Sequence, residues 1–178
     1  VNQTSTSDAA ALRAALADID EHTAEQGWDQ PPRLFALART AELVRAEPAL
    51  AAALGLESGD PADVTPIEQE EFPPDQLPLD EALARVQWND EVMGAAITVE
   101  RLLLPPSAES DLTTDDADEL QRLAAAHPER RDVRLIVGVL RDGQRFSVIR
   151  IRGAEGEEVV RGDDLAPGLA NALAQTFV

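Results

Sequence analysis

The chain has 178 residues, 44% hydrophobic and 28% charged, enough for one core or at most two small ones. Thirty-four acidic residues face fifteen basic ones, all of them arginine, for a formal charge of −19, and the chain contains no Cys and no Tyr. A disulfide framework, a thiolate metal site and a cysteine nucleophile are therefore excluded. The apolar runs are too short for a membrane span, and the acidity argues against a general nucleic-acid binder.

Val1 to Ser7 is polar and aperiodic and is expected to be a mobile tail, with residues 8–178 forming a single domain. Ser7 or Asp8 can cap a helix to about Gln26, with Leu12, Leu16 and Ile19 at helical spacing and Gly27 at a left-handed exit. The Pro31-Pro32 pair then starts an extended run, Arg33 to Ala38, which reads as a strand. Thr40 to Leu54 is helical in composition, with Pro48 forcing a kink or restart and Gly55 ending it.

Residues 57–81 hold nine acids, no base and five of the twelve prolines, and 57–78 is expected to form an acidic, Pro-rich flap. Within it, Thr65-Pro66-Ile67-Glu68 has the form of a capping box with Pro at the first helical position, which predicts a single helical turn. Leu79 to Val86 reads as a short amphipathic helix, and Val92 to Leu104 as the longest strand, stopped by Pro105-Pro106. Thr113 or Thr114 is expected to cap a helix ending near Ala126.

Val133 to Leu140 and Arg145 to Arg152 flank Arg141-Asp142-Gly143-Gln144, which reads as a two-residue Asp-Gly hairpin turn. That turn sets Val139 opposite Phe146, Gly138 opposite Ser147 and Val137 opposite Val148. Gly138 and Ser147 would make a shallow spot, expected to be covered by the last helix with Leu169, Leu173 and Phe177. The order of elements predicts an α+β fold, with helices packed on an antiparallel sheet around this central hairpin.

Gln30-Pro31-Pro32-Arg33-Leu34-Phe35-Ala36-Leu37, Thr65-Pro66-Ile67-Glu68-Gln69, Gly94 through Pro106, and His127-Pro128 with Asp132-Val133-Arg134 form a recurring set. So do Val139-Leu140-Arg141-Asp142-Gly143 and Asp164-Leu165-Ala166-Pro167-Gly168-Leu169. Together these segments resemble a family of actinobacterial proteins of uncharacterised function. The resemblance spans nearly the whole chain after the tail. It implies an intracellular protein and carries over no catalytic residue.

Histidine, the usual general base and metal ligand, occurs only as His22 and His127. Both lie near helix C-termini, where a cation complements the dipole, and their spacing supports no metal site. No phosphate loop, dinucleotide loop or nucleophile elbow is present, and Ser147 reads as a small residue inside a strand. No metal and no cofactor is expected. Seven of the fifteen arginines fall between Glu129 and Arg152 against three acids, a local +4. Arg130, Arg131, Arg134, Arg150 and Arg152 either form an internal ion-pair set with the acidic remainder, Glu100 and Arg101 included, or bind an anion or acidic peptide. Trp28 and Trp88 stand at junctions, where each locks a loop to the core or marks an interface anchor.

These readings favour a cytoplasmic, non-enzymatic binding or adaptor protein with an Arg-rich patch, partnered by another protein or by itself as a homodimer, and by neither nucleic acid nor membrane. The alternative is a hydrolase using carboxylates, assisted by His127 and a divalent ion.

Overall fold

Strands that are apolar on both faces need two covers, and the chain supplies one from each of its ends. The computed structural model describes residues 2–57, 60–73, 77–109, 112–153 and 155–178. In chain order the elements are α1 (Asn2–Glu25), β1 (Arg33–Arg39), α2 (Thr40–Ala46), α3 (Pro48–Ala53), β2 (Val64–Glu68), α4 (Leu79–Ala84) and β3 (Val92–Leu103). They continue with α5 (Pro106–Glu109), α6 (Ala117–Ala126), β4 (Arg131–Leu140), β5 (Arg145–Gly153), β6 (Gly156–Gly162) and α7 (Pro167–Ala174). The six strands form one antiparallel sheet in the order β2-β1-β3-β4-β5-β6. The fold is α+β, as its element order predicts.

One face of the sheet packs on α1, where Leu12, Leu16 and Ile19 meet Phe35, Ala96, Ile136, Phe146 and Val148. The other packs on α4 and α7, where Leu83, Ala170 and Leu173 meet Leu34, Ala95, Ile97, Val137 and Val139. Beyond α7 that second cover runs out: Leu135, Ile149 and Ile151 are half-buried, and Val160 is 38% exposed. No helix among the described residues is long and apolar enough to cross a membrane.

Several local expectations are corrected. The first helix begins at Asn2, before the expected start at Ser7 or Asp8. Extending a helix already anchored by packing carries only the propagation cost, and Asp8 pairs with Arg39 instead of capping. Thr65-Pro66-Ile67-Glu68 is strand, not helix, and pairs with β1 from Arg39↔Val64 to Phe35↔Glu68. Backbone bonds from Thr40 N–H to Asp63 O and from Gln69 N–H to Leu34 O place the odd-numbered residues of β2 toward β1. Pro66 therefore faces outward, where its missing N–H leaves the ladder intact. Of the expected flap, residues 58–59 and 74–76 lie outside the described residues. Asp116, and neither Thr113 nor Thr114, caps α6, its side chain accepting from the N–H groups of Asp118 and Glu119.

The β4–β5 register is shifted by one from the expected pairing: Gly138 faces Phe146, Val137 faces Ser147 and Ile136 faces Val148. Leu140 N–H bonds Gln144 O and Gly143 N–H bonds Leu140 O, so Arg141-Asp142-Gly143 is a three-residue loop. Only Gly143 takes positive φ, at 91°. The shallow spot survives with a different cover. A Cβ at Gly138 would lie 2.8 Å from Leu12 and 2.9 Å from Leu16, so α1 and not α7 closes it. The long strand β3 is the neighbour of β4, with Ala96 opposite Gly138.

Candidate functional site

Acidic and basic side chains from five elements converge at one end of the α1 face. Asp20 lies on the apolar stripe of α1, one position past Ile19, and its side chain is 3% exposed. Glu100 comes from β3, Arg134 from β4, Arg150 and Arg152 from β5, and Glu157 from β6. The alternation of each strand turns these side chains to the α1 side of the sheet, beyond the last apolar turn of the helix.

Arg134 is the most deeply buried of them, its side chain 2% exposed. Its Nη2 donates to Glu100 Oε1 at 2.8 Å and to the Gly27 carbonyl, and its guanidinium lies 4.8 Å from the Trp28 ring centre. The loop after α1 is shaped for this contact. Gly27 (φ 82°) and Asp29 (φ 65°) both take the left-handed region, and the N–H groups of Asp29 and Gln30 donate to Glu100 Oε2 at 2.8 and 3.2 Å. Glu100 thus holds a guanidinium with one oxygen and two backbone donors with the other.

Arg150 makes a bidentate pair with Asp20, both bonds 2.8 Å, and also donates to Glu157. The Asp20 bond holds the Arg150 guanidinium above its ordinary range, with burial opposing and Glu157 adding to the effect. Glu157 in turn accepts from the Trp28 indole N–H at 2.8 Å. That bond first, and Arg150 second, hold its carboxyl below the usual carboxylate range against the opposing effect of burial. Arg152 reaches Asp132 only at 3.8 Å and lies 5.7 Å from the Trp28 ring centre.

The structure therefore brings together Trp28, Arg134, Arg150 and Arg152 and separates them from the other proposed residues. Three guanidinium groups (Arg134, Arg150, Arg152) face four carboxylates (Asp20, Glu100, Asp132, Glu157), so the cluster is one charge negative. Arg130 and Arg131 are exposed at the start of β4 and form no ion pair among the described residues. Trp88 lies on the α7 side, its indole donating to Thr176 Oγ1 at 2.8 Å and its ring stacked 6.0 Å from Phe177. Asp20 and Glu157 were not among the expected site residues. An acid on an apolar stripe is the sequence signal that points to Asp20.

The histidines lie elsewhere. His127 Nδ1 accepts the Glu129 N–H at 3.1 Å, a local turn bond. His22 lies 3.0 Å from Gln26 Nε2 and lines a cleft with Asp18, Phe35, Leu54, Glu68 and Glu70. Ser147 is buried on the α7 side, and its hydroxyl has no hydrogen-bond partner among the described residues.

A helix-covered, six-stranded antiparallel sheet with an internally compensated arginine cluster defines this molecule. The chain belongs to the PPA1309-like protein family, whose model matches residues 12–178. No match was found among curated proteins or among solved structures.

Proposed function

We propose that this is a cytoplasmic, non-enzymatic binding or adaptor protein that engages protein partners, a second copy of itself included, through the β6 side of its sheet. The supporting observation is the half of the sheet that α7 leaves uncovered. Leu135, Ile149, Ile151 and Val160 form an apolar strip running out to the edge strand β6. Arg131 stands at the end of the same face with Arg130 before it, and these two cations, which form no ion pair among the described residues, are left for an acidic segment of a partner.

Light scattering over a wide concentration range tests the self-association part. The expected mass rises above the 19.1 kDa of one chain as concentration increases. A strict monomer throughout would contradict it. Titration with a glutamate-rich peptide tests the arginine part, where Arg130→Ala with Arg131→Ala should abolish any binding the parent shows.

A further inference from the structure

The two edges of the sheet differ in what they offer a further strand. Leu140 and Gln144 are a hydrogen-bonded pair, so even residues of β5 bond β4 and odd residues bond β6. Through the β5–β6 register (Ile149↔Val160, Ile151↔Glu158), the even residues of β6 are consumed by β5. The N–H and C=O groups of Glu157, Val159 and Arg161 therefore point outward. Proline is absent from β6, its pairing with β5 is free of register shifts, and it carries an acid at one end and a base at the other.

We propose that two copies of this chain pair antiparallel through β6, about a twofold axis at Val159, to make one sheet running through both. This inference rests on the self-association reading above and specifies its surface and register. With Val159 opposite its own copy, Glu157 of each chain lies opposite Arg161 of the other, and the outward groups close two hydrogen bonds at each of three residue pairs. Arg161 is exposed and forms no ion pair within its own chain among the described residues, so the pairing supplies its counter-charge.

The neighbouring registers are worse. A slide of two residues one way sets Glu158 against its own copy at the close, non-hydrogen-bonded spacing. The other way sets Glu157 against Asp163. Within the strand, only the Val159-centred register sets the opposite charges Glu157 and Arg161 against each other. On the other face it sets Val160 of each chain opposite Glu158 of the other, with the Ile149 and Ile151 row behind them. Each chain carries −19, so association should strengthen as salt rises from a few millimolar, where the Debye length exceeds ~30 Å, to ~0.15 M.

The cysteine-free chain makes a direct test possible. Val159→Cys places one thiol on the axis, at a Cα separation of about 5.5 Å for a hydrogen-bonded pair, within disulfide reach. Mild oxidation should convert that variant to a covalent dimer, whereas Arg161→Cys, four residues off the opposing Cys, should stay monomeric on a reducing-free gel. Val159→Pro removes an outward N–H without touching the β5 ladder and should weaken association at least tenfold by light scattering, with Arg161→Glu acting in the same direction. Melting curves confirm that each variant is folded. A dimer that survives Val159→Pro, or that cross-links equally through Arg161→Cys, overturns the β6 pairing and leaves self-association standing. A parent chain that is monomeric at every concentration and salt overturns both.

Discussion

The two edge strands of this sheet face the same hazard and handle it differently. At β2 an outward position is taken by Pro66, which has no N–H to offer, and the strand is tied to its neighbours by apolar contact, by the 2.8 Å Thr40–Thr65 hydroxyl pair and by a single ion pair, Arg33–Glu68 at 3.6 Å. At β6 the outward N–H groups of Glu157, Val159 and Arg161 remain, and the strand is tied to the rest of the fold by charge: Asp20 to Arg150, Arg150 to Glu157, and Glu157 to the Trp28 indole. An edge interrupted by an imino acid offers a further strand a broken row of donors. An edge held by ion pairs and left with donors is open, and responds to pH and salt.

The largest expected effect comes from cutting the tether of the open edge. Asp20→Ala leaves Arg150 with its deepest partner gone, and removing one member of a buried pair costs about 3–5 kcal/mol. Chemical denaturation should show a loss of that size, while a substitution at the exposed pair Arg13–Asp163 should change stability by less than about 1 kcal/mol. Next in size is the contrast between adjacent prolines on β6. Val160→Pro removes an inward N–H from the β5 ladder and should destabilise the monomer by about 3 kcal/mol. Val159→Pro, an outward position like Pro66, should leave the monomer nearly unchanged in the same melt. Equal losses for the two would break the assignment of inward and outward residues.

Gly138→Leu tests the covered middle against both edges. The added side chain would drive into Leu12 and Leu16, at an expected cost of about 1–3 kcal/mol. The position of the glycine was readable from the sequence, because a small residue in an apolar strand signals a close approach. Its cover was not. Asp-Gly is the signature of a two-residue turn, but here Asp142 Oδ1 accepts the Gln144 N–H at 3.0 Å and only Gly143 is left-handed, so the loop holds three residues. One extra loop residue shifts every cross-strand pair, and with it the partner of Gly138 from Ser147 to Phe146.

The same limit governs the arginine cluster. A local +4 between residues 129 and 152 is a fact about sequence neighbours. Asp20 and Glu157 neutralise it from an element more than a hundred residues away and from a later edge strand, and no local pattern announces that meeting. Thr65-Pro66-Ile67-Glu68 carries the spacing of a capping box, yet the outward proline makes it an edge strand once β1 is available to pair. Local chemistry identified the elements. Tertiary contacts decided how the ambiguous ones were used.

Acid should separate the edges more gently. Because the folded-state pKa of Glu157 is depressed, its contribution is complete above the unfolded carboxylate value of about 4.3 and is lost as pH falls through the folded value. Amide exchange in β6 should accelerate in that acid window, beyond the change in intrinsic exchange rate, before exchange in β2 does, and Glu157→Gln should reduce the difference. The smallest effect is expected at Ser147, whose buried hydroxyl lacks a partner among the described residues. Ser147→Ala should be neutral or stabilising by up to about 1 kcal/mol in thermal melts.

The measurement that bears most directly on the open edge is residue-resolved hydrogen exchange of the outward amides at low and high protein concentration. The account predicts that Glu157, Val159 and Arg161 gain protection as concentration rises, while the outward amides of Val64 and Glu68 on β2 exchange at the same rate throughout. Identical exchange of the three β6 amides across a range in which the mass of the particle doubles would contradict it.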